Sequence, residues 1–392
     1  MNGWQVRQLT FGGDRQVFHA HSYYDIPVFD RRGEKILVHR LRFAERHPSP
    51  EDAIDVGIVH ADAPGEWTPL GPSRAWSWQQ GPMAQWVRGG PSCIYNDRED
   101  GAFVARLVDT VSGSTKTLPR PCYAVDPGGD FYFSLNMARL DRLRPGYGYS
   151  GGDLSREDER KRGDDGIWRV RLADGEARLI LSLADAVDFL FDRFPAHRLA
   201  FHRLRVFYYW FNHIKLSPDG RRFTVKLRWR RPDGPWSDRQ GVSLTGSVEG
   251  GDLRLLTDAP SHVIWLNEDT LYLWRGGELA LFSDTSPRGR RLGVLGAGVI
   301  KQNVHIRHLP PGATKTPEDF VYDTPYQETI DLLHLHAPSG EIQKMANFRN
   351  HRPAEGPFRC DLHPCPDDQG RRIVVTSLHD GGRQVYLLER DV

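Results

Sequence analysis

HIKLSPDGRRFTVKLRW, residues 213–229, is the stretch on which the fold turns. An apolar strand runs into a Ser-Pro-Asp-Gly turn and a second strand returns from it, the pattern of an antiparallel hairpin. The motif recurs at IPVFDRRGEKILVHR (26–40), VIWLNEDTLYLW (263–274) and DLHPCPDDQGRRIVVTSLHDG (361–381), and more weakly at CIYNDREDGAFVARLVDT (93–110), CYAVDPGGDFYFSLN (122–136) and VHIRHLPPGATKTPEDFVYDT (304–324). Seven copies at intervals of roughly 50 residues predict repeated supersecondary units, and most open with histidine or another polar residue where a propeller's innermost strand would begin.

Between these hairpins lie pairs of the form apolar strand, Asp/Gly turn, charged strand: GIWRVRLADGEARLIL (166–181), ELALFSDTSPRGRRLGVL (278–295) and TIDLLHLHAPSGEIQKMANF (329–348). Four short antiparallel strands per unit predict an all-β, seven-bladed β-propeller occupying residues 1–392 as one domain. QVYLLERD (384–391) supplies a third strand without a fourth, and WQVRQLT (4–10) is a strand without a hairpin. Pairing these two termini closes the ring and leaves no free sheet edge.

Composition fits one large core: 392 residues, 39% hydrophobic and 11% aromatic. The 52 basic residues against 51 acidic ones give no general field for nucleic acid or an anionic membrane, so an acidic ligand must be met by local arginines. The start MNGWQVRQLT shows no signal-peptide pattern, and no run of about 18 apolar residues occurs, which predicts a soluble, cytoplasmic protein, monomeric or weakly oligomeric. Cys93, Cys122, Cys360 and Cys365 lack metal-finger spacing and read as reduced core residues, with Cys360 and Cys365 as the pair to check for a bridge.

Two segments break the repeat. NMARLDRLRPGYGYSGGDLSREDERKRGDDG (136–166) is charged and glycine-rich, a long excursion between strands. SLADAVDFLFDRFPAHRLAFHRLRVFYYWF (182–211) opens on a Ser cap and keeps helical spacing through Phe191 to Pro195. Together they predict an insertion over 136–211, a loop and one short helix, forming the rim of a cleft.

His21, His213, His262, His305 and His363 come from five separate stretches. His213 follows Asn212, His262 follows Ser261, His305 lies three after Gln302 and His363 two after Asp361, so four successive blades offer imidazoles at equivalent depth. Converging strands can bring such groups within reach of one divalent ion, although buried imidazoles are also common hydrogen-bonding elements of the scaffold. AWSWQQGPMAQW (75–86) adds Trp76, Trp78, Gln79 and Gln80, a mixture of stacking faces and amides suited to sugar rings and equally to core packing. RPGYGY (144–149) offers Arg144 to a carboxylate.

In QLTFGG (8–13) with YYDIPVFDRRGEKILV (23–38), NHIKLSPDG (212–220), SHVIW (261–265) and QNVHIR (302–307), the chain resembles the oligogalacturonate lyase-like seven-bladed propellers, and more loosely ulvan lyases and other uronate-acting propellers. The resemblance implies His213 as the base that removes the C5 proton of a uronate, and a divalent metal, manganese or similar, on His262, Gln302 and His305. The family pattern Gln-x-x-His-x-His ends here on Arg307, so either His363 substitutes, the ion is held differently, or Arg307 neutralises the carboxylate in its place. A tyrosine would donate the proton to the leaving oxygen, with Tyr23, Tyr24, Tyr147 and Tyr149 available. His21, Tyr23, Trp78, Gln80 and Arg144 are the expected substrate contacts.

No Gly-x-Ser-x-Gly elbow, phosphate loop or His-Glu-x-x-His occurs. The expectation is a polysaccharide or oligosaccharide lyase acting beside a uronic acid in an acidic saccharide. A glycoside hydrolase on the same scaffold and a non-catalytic glycan- or protein-binding propeller are the alternatives.

Overall fold

The computed structural model describes residues 3–390 apart from 13–15, 45, 89, 157–158, 195, 197–206, 232–233 and 312–315. Seven four-stranded antiparallel sheets are arranged as the blades of a propeller, as the repeat predicts. The blades run Phe18–Ser73, Gln85–Leu118, Ala124–Ser182, Tyr208–Asp258, Ser261–Val294 and Ile306–Phe348 in turn. The seventh joins Cys365–Pro366, Arg372–Ser377 and Gln384–Arg390 to the N-terminal strand Trp4–Gln8.

The Asp/Ser-x-x-Gly repeat has a local physical cause. Gly33, Gly129, Gly220 and Gly370 all take left-handed φ, at 71°, 80°, 70° and 67°, where a side chain is disfavoured. Each donates its N–H to the carbonyl three residues back, on Asp30, Asp126, Ser217 and Asp367. Asp30 Oδ1 also accepts from Glu34 N at 2.8 Å and Lys35 N at 3.0 Å, so the polar residue that opens the turn satisfies the strand that leaves it. These turns touch between blades: a Cβ on Gly33 would meet Asp367 Oδ2 at 2.6 Å, and one on Gly220 would meet Asp126 Oδ1 at 2.6 Å. The repeat therefore specifies both the hairpin and the packing of adjacent blades.

Ring closure occurs where the termini predict it. Trp4 pairs with Arg390 and Gln8 with Tyr386 in an antiparallel register. Behind this seam, Gln384 accepts from Thr10 Oγ1 at 2.8 Å, lies 2.9 Å from His19 Nδ1 and donates to Val17 O at 3.0 Å, which ties the last strand to the first blade.

The second blade and the insertion differ from the sequence expectation. In the second blade, 93–110 forms the second and third strands, and the innermost strand is the two-residue Gln85–Trp86, too short to leave a periodic signature. The span 136–211 contains two helices rather than one: α1 (Met137–Leu143), capped by Asn136, and α2 (Leu183–Arg193), capped by Ser182. It also contains the outer strands Gly166–Arg171 and Ala177–Ser182, and its end, Tyr208–Phe211, already belongs to the inner strand of the fourth blade. All four cysteines are buried and free, as the sequence reading has them, and Cys360 and Cys365 form no bridge. Among the described residues no helix is long and apolar enough to cross a membrane.

Gln384→Ala leaves buried polar groups of Thr10 and His19 without their partner. The expected loss is about 1–3 kcal/mol, read by denaturant unfolding; an unchanged midpoint would show that the seam does not depend on this side chain.

Candidate active site

The inner strands of the fourth and fifth blades carry register shifts between Asn212 and Lys215 and between Ser261 and Ile264. At these bulges His213 and His262 take left-handed φ of 57° and 46°, and His363 takes 50° just before the inner strand of the seventh blade. Such backbone costs roughly 1–2 kcal/mol per non-glycine residue and is characteristic of positions where a side chain is re-aimed for function. Met83 repeats the conformation at φ 55° in the second blade.

The face where inner strands begin holds a cavity of about 780 Å³. Its floor includes Tyr23, His213 and His262, and its walls carry Arg144, Lys226, Arg228, Arg230, Arg239 and Arg359, with Glu355 as the carboxylate among the described lining residues. Burial, with Arg144 and Arg239 beside it, pushes the Arg228 guanidinium down to about 9. Burial, together with Arg228 and Arg144, likewise pushes the Lys226 amine well below its usual range. An anion is the ligand that relieves such crowding.

His213 is at the centre of this arrangement. Arg144 Nη1 lies 2.6 Å from His213 Nε2, so the guanidinium donates to an unprotonated nitrogen. Burial, then Arg144, Lys226 and Lys215, hold the imidazole well below its ordinary value and therefore neutral. The Tyr23 ring stacks on it at 5.4 Å, and Tyr147 meets it edge-on at 5.7 Å. Its backbone N–H donates to Tyr123 Oη at 2.9 Å, and Gln80 Nε2 donates to the same hydroxyl at 2.9 Å.

Local sequence explains how Arg144 and Tyr147 arrive. Arg144 is the C-cap of α1, and a Cβ on Gly148 would lie 2.1 Å from Asp141 N, so the RPGYGY loop is pressed against that helix. Arg144 covers the Tyr147 ring at 3.4 Å, and Arg359 Nη2 donates to Tyr147 Oη at 2.9 Å. Burial alone would raise the phenol, but the two guanidinium groups outweigh it and bring Tyr147 down to about 8.

Behind Tyr23, three imidazoles meet. His305 lies 4.4 Å from His262 and 4.6 Å from His363, ring centroid to centroid. Ligand atoms of His305, Asp361 and His363 all fall within 4.8 Å of one another. His262 Nδ1, His305 Nε2 and His363 Nε2 are buried without a hydrogen-bond partner, while His305 Nδ1 is oriented by Asp323 Oδ2 at 3.0 Å. Burial, with His305 next to each, also pushes His262 and His363 well down, which keeps their lone pairs free. Orphaned imidazole nitrogens beside a carboxylate, one imidazole being fixed from its far side by a second carboxylate, are a donor set that suits a divalent metal. Arg359 Nε already donates to Asp361 Oδ2 at 2.8 Å, so Asp361 divides its charge between the two.

The structure thus gathers His213, Tyr147, Tyr23, Arg144, His262, His305 and His363. It does not gather the rest of the expected residues. Gln302 is exposed and outside the cavity, and its neighbour Asn303 faces the cavity instead, donating to Ser261 Oγ at 3.2 Å. Arg307 lines a separate cavity with Asp25, Lys215 and His308 and donates to Tyr24 O at 3.0 Å, so it is not among the residues of the His213 cavity. Trp78 is buried at 5.4 Å from Trp76, donates to Arg46 O and lies outside the His213 cavity. Gln80 supports Tyr123 rather than lining the cavity, and His21 is buried with Nδ1 2.6 Å from Ser22 O, its imidazole pushed down by burial to about 4.

Sequence reading missed Lys226, Arg228, Arg230, Arg239, Tyr326, Arg359 and Asn303. For three of them a signal existed: in TVKLRWR (224–230) basic residues occupy every second position, so they share one face of a strand. Arg239, Tyr326 and Arg359 come from connecting segments whose spacing carries no such mark.

No family model matches the chain, and no curated protein matches it. Two solved structures share its architecture. An oligogalacturonate lyase in complex with manganese is 16% identical with a TM-score of 0.62, over 99% of this chain and 94% of that one. An oligogalacturonate lyase from Vibrio parahaemolyticus is 12% identical with a TM-score of 0.59, over 98% of this chain and 93% of that one. At these identities the likeness is one of fold: this chain is built on a seven-bladed propeller similar to theirs.

Proposed function

We propose that the protein is a lyase that cleaves an acidic oligosaccharide beside a uronic acid by β-elimination. The observation that carries this reading is a neutral His213 held against Arg144 and Tyr147 in a cavity walled by guanidinium groups. The similar fold of two oligogalacturonate lyases makes oligogalacturonate the first substrate to test.

The incoming carboxylate competes for Arg144, which releases the Nε2 lone pair of His213. Charge neutralisation by Arg144 and Arg228 acidifies the proton at C5, and His213 takes it. The C5–H electrons form the C4–C5 double bond as the C4–O bond breaks, and the Tyr147 hydroxyl gives its proton to the leaving oxygen. His262, His305, His363 and Asp361 would hold a divalent cation, manganese or similar, which would supply further neutralisation of the substrate carboxylate. A glycosidase would need two carboxylates about 5–9.5 Å apart, and Glu355 is the one carboxylate among the described residues that line the cavity.

Incubation with oligogalacturonate is expected to give an unsaturated, ultraviolet-absorbing product. His213→Ala should lower the rate by at least about 10²-fold with its melting temperature kept. New reducing ends without absorbance would indicate a hydrolase, and ligand stabilisation without product a binding protein; either result overturns the reading.

Tyr147 must carry its proton to act as the acid, so kcat/KM should fall as pH rises through about 8. Tyr147→Phe removes that limb along with most of the activity; an unchanged alkaline limb in this variant would exclude Tyr147 as the donor.

A saturating divalent cation should raise the unfolding free energy, by about 2.7 kcal/mol at a hundredfold excess over Kd. His363→Ala should abolish the gain, and an equal gain in that variant would place the ion elsewhere.

A further inference from the structure

Lys226 takes no part in the steps above. It projects from the strand Arg222–Arg230 into the cavity, is 4% exposed, and its side chain makes no hydrogen bond or ion pair with any described residue. Its surroundings are cationic: Arg228, Arg144 and Lys215 all oppose its charge. The carboxylate that would favour that charge, Asp25, is held by Lys215 Nζ at 2.9 Å. A desolvated amine among cations, without a counterion, keeps its lone pair, and that is the environment in which lysine serves as a nucleophile.

We propose that Lys226 forms a reversible imine with the carbonyl group of a small acidic aldehyde or 2-oxo acid bound in this cavity. Nζ attacks the carbonyl carbon, the C=O π electrons move to oxygen, and the resulting carbinolamine loses water as the C=N bond forms. The amine supplies both hydrogens of that water, so amine and carbonyl give imine and water with no oxidant or reductant. Arg228 lies two residues further on the same face of the strand, about 6.8 Å along it, and holds the carboxylate of the same molecule. Open-chain uronic acids, with an aldehyde at one end and a carboxylate at the other, belong to this class. The inference uses the cavity and not the elimination chemistry.

The test traps the imine on the intact protein. D-galacturonate or pyruvate is added with cyanoborohydride at neutral pH, and modified lysines are mapped by peptide mass spectrometry. Lys226, a buried amine that keeps its lone pair, should be labelled at least roughly tenfold faster than the exposed Lys161, Lys301 and Lys344. Propanal, which lacks a carboxylate, should label Lys226 more slowly than pyruvate. Labelling confined to the exposed lysines, or equal rates with propanal and pyruvate, overturns the proposal. Parallel measurement of ultraviolet-absorbing product from oligogalacturonate separates the two claims, since trapping without elimination removes the lyase reading alone and elimination without trapping removes this one alone.

Discussion

Seven inner strands start at one end of a common axis, and that geometric constraint is what turns sequence-distant residues into a site. Tyr23 shows it most directly. Its ring lies 4.5 Å from His363, 4.8 Å from Tyr24, 5.4 Å from His213, 5.9 Å from His305 and 6.2 Å from Tyr147, so side chains of the first, third, fourth, sixth and seventh blades meet on one aromatic hub. The left-handed residues His213, His262 and His363 belong to the same constraint. A regular strand would point alternate side chains into neighbouring blades, and a bulge re-aims one of them toward the axis.

Above this hub the charge balance is one-sided. Arg144, Lys226, Arg228, Arg230, Arg239 and Arg359 surround the cavity, although the chain as a whole is almost neutral. The free protein bears that imbalance as lowered basicity at Lys226 and Arg228 and as a neutral His213. An acidic ligand completes the electrostatics, so recognition and activation of the base are two consequences of one arrangement. The separate cavity lined by Arg307 differs: there Asp25 is paired with Lys215, and Arg307 is tied to the backbone of Tyr24.

Much of the scaffold was legible because the turn chemistry is local. Asp30–Gly33, Ser217–Gly220 and Asp367–Gly370 each mark a hairpin by a polar opener and a left-handed glycine, and four strands per repeat follow from the alternation between them. The inner strand Gln85–Trp86 escaped because two residues carry no period, and α1 escaped inside a charged, glycine-rich excursion. In the site, the histidines were legible because they recur at one depth of the repeat. Gln302 and Arg307 were misplaced by transferring a motif whose register this chain does not keep, since Asn303 holds the cavity-facing position. Trp78 illustrates a different limit: an indole suits a sugar platform, but only packing decides where it points, and here it sits among Trp76, Phe43 and Phe358, outside the His213 cavity.

The central claim is that the basic cavity over Tyr23 and His213 binds an acidic saccharide with its ring beside the base. A crystal structure of the His213→Ala protein soaked with digalacturonate tests it most directly. The account predicts a carboxylate within hydrogen-bond distance of Arg144 or Arg228 and a pyranose C5 facing the vacated imidazole position. Saccharide bound in the separate cavity beside Arg307, or a His213 cavity left without ligand at saturating concentration, would contradict it.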